Sequence, residues 1–532
     1  MDPLAQSNKE KIELLIKCQN LADADFFGKS DPRATICKKD SKDGKYYSIG
    51  HTEVKKDDLN PSFAYPIHVD FVFQSQQAFR VVVEDAHGKE FREIGFADFD
   101  MSQIMGESDM TMSLRLFNSS KKDVGKCTIT AERPRPTNES YSYTIDLKCE
   151  KIVNLEWFSK SDPFLRIYRP KPNQVSKTDG NCIPESDWTK VHETEWKKDE
   201  LNPYFAPFTI LSGKLCRGNE DLPLKLEIWD YSKECEKEFR KIGKGYFTVS
   251  SLARGIKEIP TFDDSKKSTG TIIVGNFDRE QTYDLMDYLK AGLSLNQVVV
   301  IDYTKSNGNP KDPKSMHYFD SNSDNQYETC IRNVGSILFQ YDKDEQIPVY
   351  GMGAAMPVIQ VNDSKDFFFL QTDELAYASS IEDVLKLYES AFEYIDLGGP
   401  CRLGPCIKST SEWVRSISQK EKMFYSVLLI LTDGEVADMD VTLANIVDAS
   451  SLPMSILIVG LGNLKFDDLK ILDGDSKIPK DKKGRSPVRD IVQFVQYRPN
   501  MSKLELSEEL LAELPHQIVE YFRMKKIAPC AN

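Results

Sequence analysis

Asp302, Thr304 and Ser306 stand at alternate positions directly after the apolar run Val298-Val299-Val300-Ile301. A carboxylate and two hydroxyls are hard oxygen donors. Spaced by two on an extended loop they face one point, which suits Mg²⁺ or Mn²⁺ better than zinc. The apolar run itself reads as a parallel strand covered on both faces. In open α/β sheets ligands sit just beyond the carboxyl ends of such strands. A second run, Val427 to Leu431, stops at Thr432-Asp433-Gly434 and offers another carboxylate at the same edge.

These strands need a chain around them. At 532 residues with 40% apolar content, the sequence has room for roughly three or four ordinary domains. A net charge of −14 argues against a chain-wide nucleic-acid binder and confines any contact with an anionic membrane to a local patch. The eleven cysteines are scattered and contain no Cys-x-x-Cys pair, which favours reduced thiols in the cytosol. The amino terminus, with Lys9, Glu10, Lys11 and Glu13, has no signal-peptide core, and a cytoplasmic protein is expected.

The first half repeats itself. Phe27-Gly28-Lys29-Ser30-Asp31-Pro32 returns as Phe158-Ser159-Lys160-Ser161-Asp162-Pro163, and Leu59-Asn60-Pro61-Ser62-Phe63 as Leu201-Asn202-Pro203-Tyr204-Phe205. Lys89-Glu90-Phe91-Arg92 returns as Lys237-Glu238-Phe239-Arg240. A repeat of this length is a whole domain. Short β-rich runs (Phe79 to Val83, Lys126 to Thr130, Leu224 to Trp229, Thr271 to Val274) between turn clusters predict two antiparallel sandwiches. From about Gln281 the texture changes to buried strands separated by helical stretches such as Ile381 to Ile395 and Leu504 to Met524. The expected domains are 1–133, 137–277 and 281–532.

Asp-x-Thr-x-Ser with Thr-Asp-Gly resembles the metal-ion-dependent adhesion site of von Willebrand factor A domains. Lys-Ser-Asp-Pro after an aromatic, followed by Leu-Asn-Pro-x-Phe, resembles the C2 domain. Two C2 domains followed by a doubly wound, mostly parallel A-like domain resemble the copine family over essentially the whole chain. Further family-like blocks are Leu452-Pro453-Met454-Ser455 and Leu514-Pro515-His516-Gln517. The resemblance implies a Mg²⁺ or Mn²⁺ ion at Asp302, Thr304, Ser306 and Asp433, with an open position for an acidic residue of a partner protein. It also places Cys401 where a coordinating Thr is usual, and a thiol is a soft, weak ligand for Mg²⁺. Cys401 with Cys406 as a redox pair is the alternative use of that residue.

The same resemblance implies calcium-binding C2 loops, here degenerate. The first module supplies Asp25, Asp31 and Asp85, with His87 and Arg92 in the remaining places. The second supplies Glu156, Asp162 and Asp230, with Ser232 and Arg240. Fewer carboxylates weaken Ca²⁺ affinity. Either Arg92 and Arg240 stand in the calcium place, or they point to solvent and one weak ion remains. Phe26, Phe27, Trp157 and Phe158 at the first loops, with Lys89, Arg92, Lys237, Arg240 and Lys241 opposite, suit an anionic bilayer, or the aromatics cap the core.

The expected protein is a peripheral phospholipid-binding adaptor without enzymatic activity, on the plasma membrane or endomembranes. Its C2 modules dock on lipid with weakened calcium dependence, and its A-like domain recruits partners through a divalent cation. The alternatives are a soluble scaffold with no membrane role, and a ubiquitin-ligase-type enzyme, which would need RING-type Cys/His pairs that the sequence lacks.

Overall fold

The computed structural model describes residues 9–23, 29–40, 42–87, 90–107, 109–133, 141–171, 180–231, 239–356, 361–370, 377–434, 436–474, 478–498 and 500–529. The chain forms two compact units, one made of Met1–Pro134 with Asp284–Asn532, the other of Arg135–Tyr283.

In the first unit, eight antiparallel strands form the first sandwich. Tyr46–His51, Pro32–Lys39, Ala78–His87 and Glu90–Asp100 make one half. Thr111–Phe117, Asp123–Glu132, Lys9–Gln19 and Ile67–Val72 make the other. Among the described residues the ladder between the halves is reduced to the pair Phe96 and Phe117, so it folds over there and the two inner faces pack together. Alternation drives this: in Lys9–Gln19, Ile12, Leu14, Ile16 and Cys18 are buried and the residues between them face outward. The second unit repeats the plan, with Lys244 and Phe262 as its single joining pair. All four β-rich runs read from the sequence fall within strands.

The α/β part of the first unit carries a six-stranded sheet. Its parallel strands run in the order Val349–Met352, Ser294–Asp302, Phe424–Thr432, Met454–Gly460, Val492–Gln496, with Phe368–Phe369 antiparallel at one edge. In chain order this is 2-1-3-4-5. The order reverses between the first strand, Ser294–Asp302, and the third, Phe424–Thr432, and a ligand crevice opens at such a reversal. Phe424–Thr432 and Met454–Gly460 are buried at every position, as strands covered on both faces must be.

The stretch expected as one helix from Leu504 to Met524 is two, Lys503–Leu510 and Leu514–Met524. Pro515 is the reason: it lacks an N–H and clashes inside a helix, but is tolerated in a first turn, and it opens the second helix there.

Within this unit the sandwich seats against the α/β part. Arg133 donates to Glu10 and Asp287 at 3.3 Å each and to Asp284, and Phe73 packs on Tyr341 with ring centroids 4.9 Å apart. Gly106, the last residue of helix Met101–Gly106, lies so close that a Cβ would stand 2.1 Å from the carbonyl oxygen of Gln340. Alanine is the better helix former, yet Gly106→Ala is expected to destabilise the protein by about 1–3 kcal/mol through that overlap. Denaturant unfolding checks this, and equal or greater stability in the variant would refute the close seating.

Candidate cation and membrane sites

Asp302 ends its strand fully buried, and Asp433 follows the neighbouring strand, also buried. Thr304 is buried and Ser306 is exposed at the rim. Thr304 Oγ1 and Ser306 Oγ are 2.9 Å apart, Ser306 Oγ is 3.0 Å from Asp433 Oδ1, and Thr304 Oγ1 is 3.5 Å from the same oxygen. An octahedral ion with bonds of about 2.0–2.1 Å holds adjacent oxygens about 2.9 Å apart. Two edges of the triangle match that spacing, which is also the length of an ordinary O–H···O hydrogen bond.

The charge balance fits a cation too. Asp302 accepts from the Thr304 N–H at 2.9 Å and from Thr432 Oγ1 at 2.6 Å, and Asp433 accepts from Ser306 and from Asn307 Nδ2 at 3.0 Å. Among the described residues neither carboxylate has a Lys or Arg partner. Burial raises the carboxyl of Asp302 above the usual range. Burial, and then the charge of Asp302, pushes Asp433 up to about 6. Buried carboxylates are ordinarily paired or metal-bound, so the residues present suit a small divalent ion at Asp302, Thr304, Ser306 and Asp433.

Neighbouring loops hold this arrangement. Gly353, at φ +72°, leaves room for the Thr304 methyl, which a Cβ would meet at 2.4 Å. Asp438 accepts from the N–H groups of Leu403 and Gly404 at 3.1 and 3.0 Å, tying the loop of Cys401 to the loop of Asp433. Cys401 is buried, with Sγ 3.5 Å from Thr432 Oγ1. Its thiol also hydrogen-bonds the Asp302 carboxyl directly. Burial and the charge of Asp302 hold its thiol well above the usual value, so it stays protonated. Cys406 faces Met352 instead, Sγ to Sδ 3.9 Å, and both cysteines are free.

Three participants escaped the sequence reading. Thr432 was visible only as the first letter of Thr-Asp-Gly, and Asn307 only as half of a turn. His317 is fully buried and gave no signal at all; its Nε2 lies 3.1 Å from the carbonyl oxygen of Asp302 and its Nδ1 2.7 Å from the Tyr388 hydroxyl. A carbonyl only accepts, so Nε2 carries the hydrogen and Nδ1 accepts from Tyr388. Burial lowers this histidine to about 3 and keeps it neutral.

The two sandwiches present matching loops. In the first, the N–H of Asp31 donates to Asp85 at 2.6 Å and the N–H of Asp57 to Asp31 at 2.8 Å. In the second, the N–H of Asp162 donates to Asp230 at 2.8 Å and the N–H of Asp199 to Asp162 at 2.7 Å. Both arginines lie on the strand opposite the loop aspartate, as cross-strand partners: Arg92 of Asp85, Arg240 of Asp230. Arg240 Nη2 bonds Asp230 Oδ2 at 2.8 Å and lies 3.7 Å from Glu156, and its Nη1 donates to the Leu155 carbonyl at 3.1 Å. The carboxylates of Glu156 and Asp230 therefore flank a guanidinium. Among the described residues no three His, Cys, Asp or Glu side chains converge as a metal cage. Arg92, exposed like Arg240, makes no ion pair with a described residue. A guanidinium among the loop carboxylates is thus found in the second module, and the loop residues 24–28 that would face Arg92 in the first lie outside the described residues.

Trp157 and Phe158 are 95% and 104% exposed. They do not cap the core. Lys241 leans on Asp264 at 3.5 Å, which takes it from the set of cations facing solvent. Asp25, Phe26, Phe27, Lys89, Ser232 and Lys237 lie outside the described residues. No helix among the described residues is long and apolar enough to cross a membrane.

A copine domain model matches residues 315–530, and a C2 domain model matches residues 13–116 and 143–263. Copine-A of Dictyostelium discoideum is 31% identical over 528 residues, 98% of this chain and 85% of that protein. The chain belongs to the copine family. Similarity of this copine to solved structures is slight. BON1-C2B is 22% identical, covering 27% of this chain and 94% of its own, with a TM-score of 0.22. The calcium-bound pair of C2 domains from Extended-Synaptotagmin 2 is 13% identical, covering 51% of this chain and 96% of its own, with a TM-score of 0.21.

If Arg240 compensates Asp230 in this copine, removing it exposes the need for a cation. Arg240→Ala is expected to cost about 1–3 kcal/mol, and millimolar Ca²⁺ to raise the variant's melting temperature more than the wild type's. Equal calcium responses in a thermal-shift titration would count against the assignment.

Proposed function

We propose that this copine is a peripheral phospholipid-binding adaptor without enzymatic activity, cytoplasmic and recruited to the plasma membrane or endomembranes. Its domains are taken as 1–133, 137–277 and 281–532. The second C2 module docks on anionic lipid with little need for calcium, and the A-like domain captures an acidic residue of a partner protein through Mg²⁺ or Mn²⁺ at Asp302, Thr304, Ser306 and Asp433.

One observation carries the membrane reading: Trp157 and Phe158 stand fully exposed on the loop whose acidic neighbours already hold Arg240. A C2 loop ordinarily needs calcium to neutralise its carboxylates before it can approach an anionic surface. Here a tethered guanidinium supplies that charge in part, at no concentration dependence. A chain of net charge −14 is repelled by such a surface as a whole, so the contact has to be local and driven by apolar burial. Each aromatic buried in the bilayer contributes about 1.5–3 kcal/mol.

The A-domain reading is supported by the charge balance of Asp302 and Asp433 and by the convergence of Thr304, Ser306 and Asp433 oxygens on one point. A bound divalent ion would supply an electrophilic position that a partner's carboxylate completes.

Co-sedimentation of the full chain with phosphatidylserine-containing vesicles tests the membrane reading. Binding in chelator is expected to persist and to fall at least about tenfold for Trp157→Ala/Phe158→Ala, since the double change removes more than about 1.4 kcal/mol. Strict calcium dependence, or an unaffected double variant, would overturn the docking mode. No sedimentation under either condition would favour a soluble scaffold.

A further inference from the structure

Asn307 is buried beneath the candidate cation site and belongs to no set of oxygen ligands. Its Nδ2 lies 3.0 Å from Asp433 Oδ1, 3.3 Å from both Thr304 Oγ1 and the Thr304 carbonyl, and 3.4 Å from the Asp302 carbonyl. Carbonyls cannot donate, so the NH₂ end must face this group and the amide oxygen must face away. There it accepts from the Tyr327 hydroxyl at 2.6 Å. That hydroxyl is also 3.3 Å from the Asp302 carbonyl, but it has one hydrogen and the nearer acceptor takes it.

The three donors around Asp433 Oδ1 are not equivalent. Ser306 and Thr304 can rotate their hydroxyl hydrogens, and must turn them away from Asp433 if their oxygens are to face a cation. Asn307 has no such freedom, because Tyr327 at one end and two carbonyls at the other fix its plane. Its bond to an ionised acceptor is of the stronger, charge-assisted kind. Asp433 Oδ2 takes no hydrogen bond among the described residues.

We propose that Asn307, oriented by the Tyr327 hydroxyl, is the positioning residue of the cation site: it holds Asp433 in place both before and after the hydroxyls turn toward a divalent ion. This rests on the cation reading of the preceding subsection. Asn307 touches no ion itself. Its role is to make the site preformed, so that binding does not have to order a buried carboxylate at the same time. Groups that orient metal ligands in this way typically govern affinity by 10–100-fold.

The test is titration of the full chain with Mn²⁺ followed by electron paramagnetic resonance. Asn307→Leu, close in volume but without donors, is expected to raise the Mn²⁺ dissociation constant by about 10–100-fold. Tyr327→Phe, which removes a single oxygen, should raise it less. Because Tyr327 acts through Asn307, the double variant should be no weaker than Asn307→Leu alone, a result that general loosening of the core would not give. Unchanged affinity in both single variants, or losses that simply add, would overturn the role while leaving the cation site standing. Wild-type protein that binds no Mn²⁺ would remove the site and the role together. If Asn307→Leu does not fold, Tyr327→Phe decides alone: an unchanged dissociation constant in that variant overturns the proposal.

Discussion

Two carboxylates buried side by side at the edge of a parallel sheet are an electrostatic debt, and much of the α/β domain is arranged around it. Asp302 and Asp433 are brought together because their strands are neighbours at the point where strand order reverses. Nothing about a sheet's apolar packing requires charge at that place. What keeps it tolerable in the protein alone is a ring of neutral donors: Thr432, the Thr304 amide, Ser306 and Asn307. Neutral donors soften a buried charge without cancelling it. The site is therefore organised and still short of positive charge, which is the condition under which a mobile cation gains most.

The second sandwich meets the same constraint with a different solution. Its loop carboxylates take their positive charge from the chain itself, through Arg240 across the strand. A covalently attached cation is present at any ionic composition and cannot be withdrawn, so it suits a constitutive contact. A dissociable one suits a contact that has to be made and broken.

Much of this was legible beforehand, and the reasons are physical. Strands covered on both faces must be apolar throughout, so Val298 to Ile301 and Val427 to Leu431 announced themselves, and the residues ending them marked the site. The tandem modules were legible because the loop chemistry repeats almost letter for letter. The partners of Arg240 were not, since Arg92 and Arg240 occupy the same cross-strand register and the sequence does not show which loop groups a guanidinium reaches. Thr432, Asn307 and His317 were hidden for a related reason: a hydrogen bond between residues 130 positions apart, as from Thr432 to Asp302, has no periodicity. Pro515 was in plain sight, but the amphipathic pattern on either side of it masked the break.

The ion cluster at Arg133 bears on the topology of the whole chain. Arg133 is the last described residue before the chain leaves the first unit, and Asp284 and Asp287 are among the first after it returns. By bonding them, one guanidinium ties the two ends of the intervening 135–283 segment together. In connectivity the second sandwich is an insertion into a unit that is already continuous without it. Evolution can lengthen, exchange or remodel such a loop-out domain with little disturbance to its host, because the host's own strands never depended on threading through it.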